Sequence, residues 1–262
     1  ADRPAEAPEV RDFEGVDVDC TIAAVTLQTL IQRTLFAAAA EHSRYAINGI
    51  LFDRNDTHLR FVATDGRRLA LATGQCEEGS GEQSCIIPAK ALNIIMKLID
   101  DPDDAVRLVV ERNQILAQLG EGPTAAILSS NRVEGTFPPF EDVIPRDQDK
   151  RVRFRPASLS TAIKRAALLT NEESKGVRLS FTPERLTLTS RAPEMGEAEI
   201  ELDLDSYEGE ALEIGFNPAY IVDALKVVDA DEVLVELKGP SKPGVIRIGD
   251  DFVYVLMPVS LT

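Results

Sequence analysis

The sequence predicts an α+β fold of two tandem modules, each carrying two helices on one face of antiparallel sheet. Three observations carry the prediction. Thr26-Leu27 with Arg33 returns as Ser158-Leu159 with Arg165, and Pro88-Ala89 returns as Pro218-Ala219, echoes spaced by roughly 130 residues, about a domain length. Apolar residues recur at helical spacing in four segments. Between those segments lie short alternating runs bounded by Asp, Asn and Gly.

The first helix is expected over Ala23 to Glu41, with Leu27, Leu30, Ile31, Leu35 and Ala38 inward and Arg33 on the exposed side. Strands follow at Ala46 to Phe52, His58 to Ala63 and Leu69 to Ala72, with turns at Asp53-Arg54-Asn55-Asp56 and Asp65-Gly66. Gly74 to Gln83, rich in Gly, Ser and Glu, reads as a loop. Pro88 opens a second helix whose apolar face holds Ala91, Leu92, Ile94, Ile95, Leu98 and Ile99. Strands resume at Ala105 to Val110, Gln114 to Leu119 and Thr124 to Ser129.

Pro138 to Asp149 reads as the linker between the modules. Arg155-Pro156 then opens a third helix with Leu159, Ala162, Ile163, Ala166 and Ala167 inward, followed by strands at Val177 to Phe181, Arg185 to Ser190 and Glu197 to Leu204. Asn217-Pro218 pairs an N-cap with a first-turn proline, so Ile221, Val222, Leu225 and Val228 form the core face of a fourth helix. Strands at Glu232 to Leu237, Val245 to Ile248 and Phe252 to Met257 close the chain. The expected division is an acidic linker or tail over 1–17, a middle module over 18–146 and a C-terminal module over 147–262.

Composition sets the class. With 262 residues, 44% of them apolar and 27% charged, the chain is long enough for sizeable cores. No run approaches the roughly 20 apolar residues of a spanning helix, and no signal peptide pattern opens the chain, so a cytoplasmic protein without a membrane partner is expected. Cys20, Cys76 and Cys85 lack metal-ligand spacing and are expected to be reduced thiols. The net charge of −16 argues against nucleic acid at face value. The distribution argues otherwise, because the four helices hold Arg33, Lys90, Lys97, Lys164, Arg165 and Lys226 against few acids. A neutral to basic side inside an acidic shell suits loose contact with DNA, and the same charges also suit ordinary solvated helix faces.

The segments Arg44-Tyr45-Ala46-Ile47-Asn48-Gly49-Ile50-Leu51-Phe52 and Val62-Ala63-Thr64-Asp65-Gly66-Arg67-Arg68-Leu69-Ala70 closely resemble the bacterial sliding clamp family, the beta subunit of DNA polymerase III. Gly135-Thr136-Phe137-Pro138, Asn171-Glu172 with Gly176-Val177-Arg178-Leu179, and Tyr254-Val255-Leu256-Met257-Pro258 resemble it as well. The resemblance covers nearly the whole chain and matches the second and third of the family's three modules, which makes 1–17 look like the trailing edge of a first. It implies a non-catalytic processivity factor without cofactor or metal: a head-to-tail homodimeric ring around duplex DNA, bound without regard to sequence, that tethers polymerase, clamp loader and repair proteins through short linear motifs. A chain without the first module would not close that ring and is expected to be a monomer or a weak dimer.

Residue by residue, the resemblance implies a peptide groove walled by Ile47, Thr64, Gly66, Arg67, Arg68, Leu69, Pro138, Val143, Val255, Met257 and Pro258. Each of these could instead be plain core. Family members often carry a basic residue where Asp142 stands, a departure in the groove's electrostatics. Arg44 and Tyr45 would reach DNA from a loop, with Ala46 in place of a second aromatic. The ring interface would hold Leu168 and Leu169 with the acidic Glu194, Glu197 and Glu199. Two other readings stay open. One is a peptide-binding adaptor that does not encircle DNA; the other is a carboxylate-based hydrolase using Asp65 with Glu41, although Asp before Gly is far more often a turn residue.

Overall fold

In a computed structural model, the structure describes residues 13, 16–40, 48–170, 176–192 and 196–260. The first half runs β1 (Cys20–Ala23), α1 (Ala24–Leu35), β2 (Gly49–Asn55), β3 (His58–Thr64), β4 (Arg68–Gln75), β5 (Glu78–Gly79), β6 (Glu82–Pro88), α2 (Ala89–Leu98), β7 (Ala105–Val110), β8 (Gln114–Leu119) and β9 (Ala126–Asn131). The second half repeats the order: β10 (Lys150–Phe154), α3 (Pro156–Ala166), β11 (Val177–Phe181), β12 (Arg185–Ala192), β13 (Gly196–Asp203), β14 (Tyr207–Glu208), β15 (Leu212–Phe216), α4 (Pro218–Lys226), β16 (Val233–Leu237), β17 (Gly244–Ile248) and β18 (Phe252–Leu256).

The pairing repeats too. A five-stranded sheet, ordered β5-β1-β7-β8-β9, has its counterpart in β14-β10-β16-β17-β18, and β4-β3-β2-β6 has its counterpart in β13-β12-β11-β15. One junction joins the halves: β18 pairs antiparallel with β4, placing Val255 opposite Leu69 and Tyr254 opposite Ala70, so nine strands form one sheet.

Strand alternation sorts this sheet's side chains onto two faces. Ile50, Phe52, Phe61, Ala63, Ala70, Phe252, Tyr254 and Leu256 enter the main core beneath the helices. Leu51, Val62, Leu69, Ile86, Val253 and Val255 point the other way, yet they are buried as well. Their cover is the segment between the halves, which lays Val133, Phe137, Phe140 and Ile144 over them. Arg132 fastens its start, donating to the carbonyls of Glu111, Arg112 and Ser84. The linker is therefore a strap with a short 3-10 turn over Phe140–Asp142, and no mere loop.

Several elements differ from the sequence reading. The first helix stops at Leu35, well short of Glu41, because Ala37 and Ala38 donate to Thr34 and Leu35 in tighter i→i−3 turns. The expected turn at Asp53–Asp56 is the end of β2, and the chain reverses at Asp56, whose φ of 50° an aspartate tolerates. Arg54, although charged, is buried there and donates to the carbonyls of Asp56 and Gly81. Gly74 to Gln83 is not all loop: β4 runs on to Gln75, β5 pairs with β1, and β6 begins at Glu82. The strands β1, β10, β14 and β15 were not foreseen. Pro88 serves as the N-cap and not the first helical residue, whereas Pro156 and Pro218 do open their helices. Leu98, assigned to an apolar face, is exposed.

Phe52 is fully buried and meets Phe61 edge to face at 5.7 Å. Phe52→Ala is expected to cost about 3–5 kcal/mol through the cavity it leaves, read as a lower denaturant midpoint at unchanged slope. All three cysteines are buried free thiols. Burial is the chief cause that pushes Cys20 up to about 12 and Cys85 up to about 11, and it raises Cys76 too. A thiol-reactive dye at neutral pH is expected to leave all three unlabelled in the native protein and to label all three after denaturation.

Candidate functional site: a pocket at the module junction

Where β4 meets β18, the outer face of the sheet is left partly uncovered beside the strap. The pocket there has a volume of about 200 Å³. Leu69 and Val255, directly opposed across the ladder, lie nearly or fully buried among its lining. Three distant segments build its walls: Thr64 to Leu69, Pro138 to Val143, and Val255 to Met257. Met257 and Val143 stand exposed at its edge, 42% and 46% accessible, which is costly for large apolar side chains unless something covers them.

The β3–β4 turn is shaped by Asp65. Its Oδ1 accepts the backbone N–H groups of Arg67 and Arg68 at 2.9 and 3.0 Å, and its Oδ2 accepts Arg68 Nε at 3.1 Å. Gly66 occupies φ 84°, a region in which a side chain would be strained, and donates its N–H to the Thr64 hydroxyl. Thr64 in turn donates to the Arg68 carbonyl. Asp65 thus has both oxygens engaged in holding a turn, which removes it as a free general acid or base. Met257 extends the ladder by donating its N–H to the Arg67 carbonyl at 2.9 Å.

Arg68 ties the pocket wall to both modules. Its Nη2 donates to the Phe36 carbonyl just past α1, and its Nη1 to Asp223 on α4 at 3.0 Å. The guanidinium lies 4.4 Å from the Tyr220 ring centroid and 5.5 Å from that of Phe36. Asp223 also accepts from Lys226, and Tyr254 donates to the Tyr220 carbonyl. Burial lowers the pKa of Arg68, but its acidic and phenolic neighbours outweigh burial and hold it above the ordinary range. The Tyr254 phenol is pushed up, chiefly by burial.

Of the groove residues expected from sequence, Thr64, Gly66, Arg67, Arg68, Leu69, Pro138, Val143, Val255 and Met257 line this pocket. Pro258 does not: after Met257 the chain turns toward Gly215, to whose carbonyl Val259 donates, and Pro258 lines a neighbouring hollow instead. Ile47, with Arg44, Tyr45, Glu41 and Glu194, lies outside the described residues. Phe140 was missed. An aromatic after two prolines in a polar linker was its only signal.

On the helices, Lys90, Lys97, Lys164, Arg165 and Lys226 are exposed. Arg155, Lys164 and Lys226 line an open hollow of about 1030 Å³ between α3 and the end of α4. Arg33 departs from its expected place, being half-buried with its guanidinium 6.0 Å from the Phe252 ring centroid, where the two modules meet. Leu168, just beyond α3, is 75% exposed and Leu169 is half-buried. Glu197 and Glu199 are exposed on β13, which among the described residues is an edge strand paired only with β12. No helix among the described residues is long and apolar enough to cross a membrane.

Comparison with known proteins agrees over the whole of this architecture. Residues 21–139 match the family described as DNA polymerase III beta subunit, central domain, and residues 141–260 match DNA polymerase III beta subunit, C-terminal domain. The beta sliding clamps of Vibrio cholerae and Escherichia coli K12 are each 34% identical over 98% of this chain, which covers 69% of their length. Among solved structures, a DNA polymerase sliding clamp from Pseudomonas aeruginosa with ligand superposes with a TM-score of 0.89 at 35% identity, over 99% of this chain and 70% of that one. The sliding clamp from Bacillus subtilis gives 0.90 at 29% identity, over 98% and 68%.

Burial would raise the pKa of Asp223, but the hydrogen bonds from Arg68 and Lys226 outweigh it and hold the carboxyl below its ordinary 3.8. A depressed folded pKa means that this stabilisation is complete above the unfolded value and drains away as pH falls through the folded one. Asp223→Asn is therefore expected to cost about 1–2 kcal/mol at pH 7 and progressively less below about pH 4, followed by denaturation at both pH values.

Proposed function

Since the chain belongs to the bacterial beta sliding clamp family, the DNA polymerase III beta subunits, and is a non-catalytic processivity factor of DNA replication, we propose that the junction pocket is where its protein partners dock. The observation that carries this reading is the convergence of three distant segments on an apolar hollow floored by Leu69 and Val255 and edged by exposed Met257 and Val143. A pocket of about 200 Å³ holds one or two large side chains, so a short linear motif with a Leu-Phe type anchor fits it. Met257, flexible and polarisable, suits a site used in turn by polymerase, clamp loader and repair proteins. In this reading the protein works in the cytoplasm, beside the DNA and the polymerase it serves.

The duplicated topology supports a ring. In the first module β4 is completed by β18 of the next module, while among the described residues its counterpart β13 has a free edge, and β9, the counterpart of β18, has another. On this proposal a junction of the β4–β18 kind at the β13 edge joins one subunit head to tail to the family's first module in the next, and the β9 edge is completed by a neighbouring module in the same way. In this reading Leu168 and Leu169 pack across the junction at β13, and Glu197 and Glu199 meet a basic partner edge. The ring places α2, α3 and α4 toward duplex DNA, where Lys90, Lys97, Lys164, Arg165 and Lys226 meet phosphates without reading bases, as sliding requires. The acidic remainder of the chain keeps that attraction weak.

Fluorescence anisotropy of a labelled peptide ending in a Leu-Phe anchor, titrated with the protein, tests the pocket. Saturation in the micromolar range is expected. Met257→Ala and Val143→Glu, both at exposed edge positions, are each expected to weaken binding about tenfold or more while leaving the fold intact. Unchanged binding in both variants would place the docking site elsewhere.

A further inference from the structure

The strap that walls the junction pocket is held down mainly by apolar contact, with Val133, Phe137, Phe140 and Ile144 joining the cluster of Leu51, Val62, Leu69, Ile86 and Val255. Apolar burial has no direction, so by itself it fixes that the strap covers the sheet and not where along the sheet its turn stands. Direction comes from one side chain. Between Glu134 and Arg146, among the described residues, the strap's single hydrogen bond to another segment runs from Arg60 Nη1 on β3 to Glu141 Oε1, at 2.6 Å.

The surroundings of Arg60 suit it to that place. Strand alternation sets Arg60, Val62 and Thr64 on the outer face of β3, so one strand supplies in turn the cation, the floor beneath the strap and a wall of the junction pocket. Asp53, opposite Arg60 on β2, accepts from Nε and Nη2 at 2.8 and 2.6 Å and fixes the plane of the guanidinium. The remaining Nη1 reaches Glu141, and the Phe140 ring centroid lies 5.4 Å from the guanidinium carbon. Phe140 and Glu141 open the 3-10 turn that Val143 closes by donating its N–H to the Phe140 carbonyl at 3.1 Å. One end of this turn therefore meets Arg60, and Phe140 and Val143 meet the junction pocket. On the other side of Phe140, a second hollow of about 530 Å³ shares Pro138 and Phe140 with the pocket and is lined in part by Arg60, Asp53 and Glu141. The turn has open space behind it, and the arginine spans that space.

We propose that Arg60 is a positioning residue of the docking pocket: through Phe140 and Glu141 it sets the strap turn at the distance from β4 and β18 that an apolar anchor needs. Arg60 does not line the pocket, so its effect passes through Phe140 to the rim at Val143. The side chains of Arg60 and Glu141 are 42% and 56% exposed, so their pairing adds little to the stability of the fold and can be cut without unfolding it. Loss of the pair therefore shows in affinity and hardly in stability. The inference rests on the peptide-docking reading of the junction pocket.

Anisotropy of a labelled peptide with a Leu-Phe anchor and no charged side chain, run beside thermal melts, tests the assignment. Arg60→Met keeps an apolar stem over Phe140 and removes the guanidinium; it is expected to weaken binding about three- to tenfold while the melting temperature falls by no more than about 3 °C. Glu141→Gln is expected to weaken binding too, the double variant to bind no worse than Arg60→Met alone, and Arg60→Lys to recover part of the loss. The advantage of the native protein over Arg60→Met is expected to narrow as salt rises, although the peptide is uncharged, because salt screens the pair. Unchanged affinity in Arg60→Met, with binding still weakened by Met257→Ala, would overturn the assignment and leave the pocket standing. Weaker binding that follows a large fall in melting temperature, and that Glu141→Gln does not share, would overturn it as well. If no peptide binds the folded native protein, the pocket reading fails and takes this inference with it.

Discussion

The antiparallel ladder between β4 and β18 is the interaction on which the rest of the structure depends. It joins two halves of the chain that each repeat the same order of strands and helices into one nine-stranded sheet. It also creates surface that neither half has alone. Leu69 on one strand and Val255 on the other become neighbours only because the register places them opposite each other. The pocket built over them is thus a property of the junction, and anything that loosens the ladder opens or erases it.

Two further devices hold that junction. On the helix side, Arg68 reaches past its own turn to the Phe36 carbonyl and to Asp223, with its guanidinium on the Tyr220 ring. A guanidinium can satisfy several acceptors in one plane while stacking on an aromatic face, which a lysine in the same place could not do. On the outer side, the strap covers apolar side chains that strand alternation would otherwise leave in water. Phe140 and Arg132 pin the strap, which forms the wall between the hollows on its two sides.

The charge distribution follows the same division of labour. In a chain with a net charge of −16, the positive charge of the helices is local, where lysines and Arg165 stand exposed. Such a balance favours a topological link over a tight one. The outer hollow beside the strap carries charge of both signs, Asp53, Glu141 and Asp142 with Arg60 and Arg132.

Much of this was legible in the sequence, and the limits are instructive. Helical periodicity gave all four helices, because an amphipathic helix needs its own apolar stripe whatever it packs against. Alternation gave the strands with one wet face, but β1, β10 and β15 were invisible, being short segments whose identity comes from the strands beside them. Arg54 read as a turn residue because a buried arginine makes sense only once the carbonyls of Asp56 and Gly81 are in place around it. The motif around Thr64 to Leu69 and the terminal Val255 and Met257 marked the pocket's residues, whereas Phe140 was hidden in a segment that looked like linker. What the sequence determined by itself was local: which segments coil, which extend, and that one module occurs twice. Which strands meet across the modules, which side of the strap is acidic and which apolar faces stay open were decided by the tertiary structure alone, since those depend on long-range pairing that no local pattern encodes.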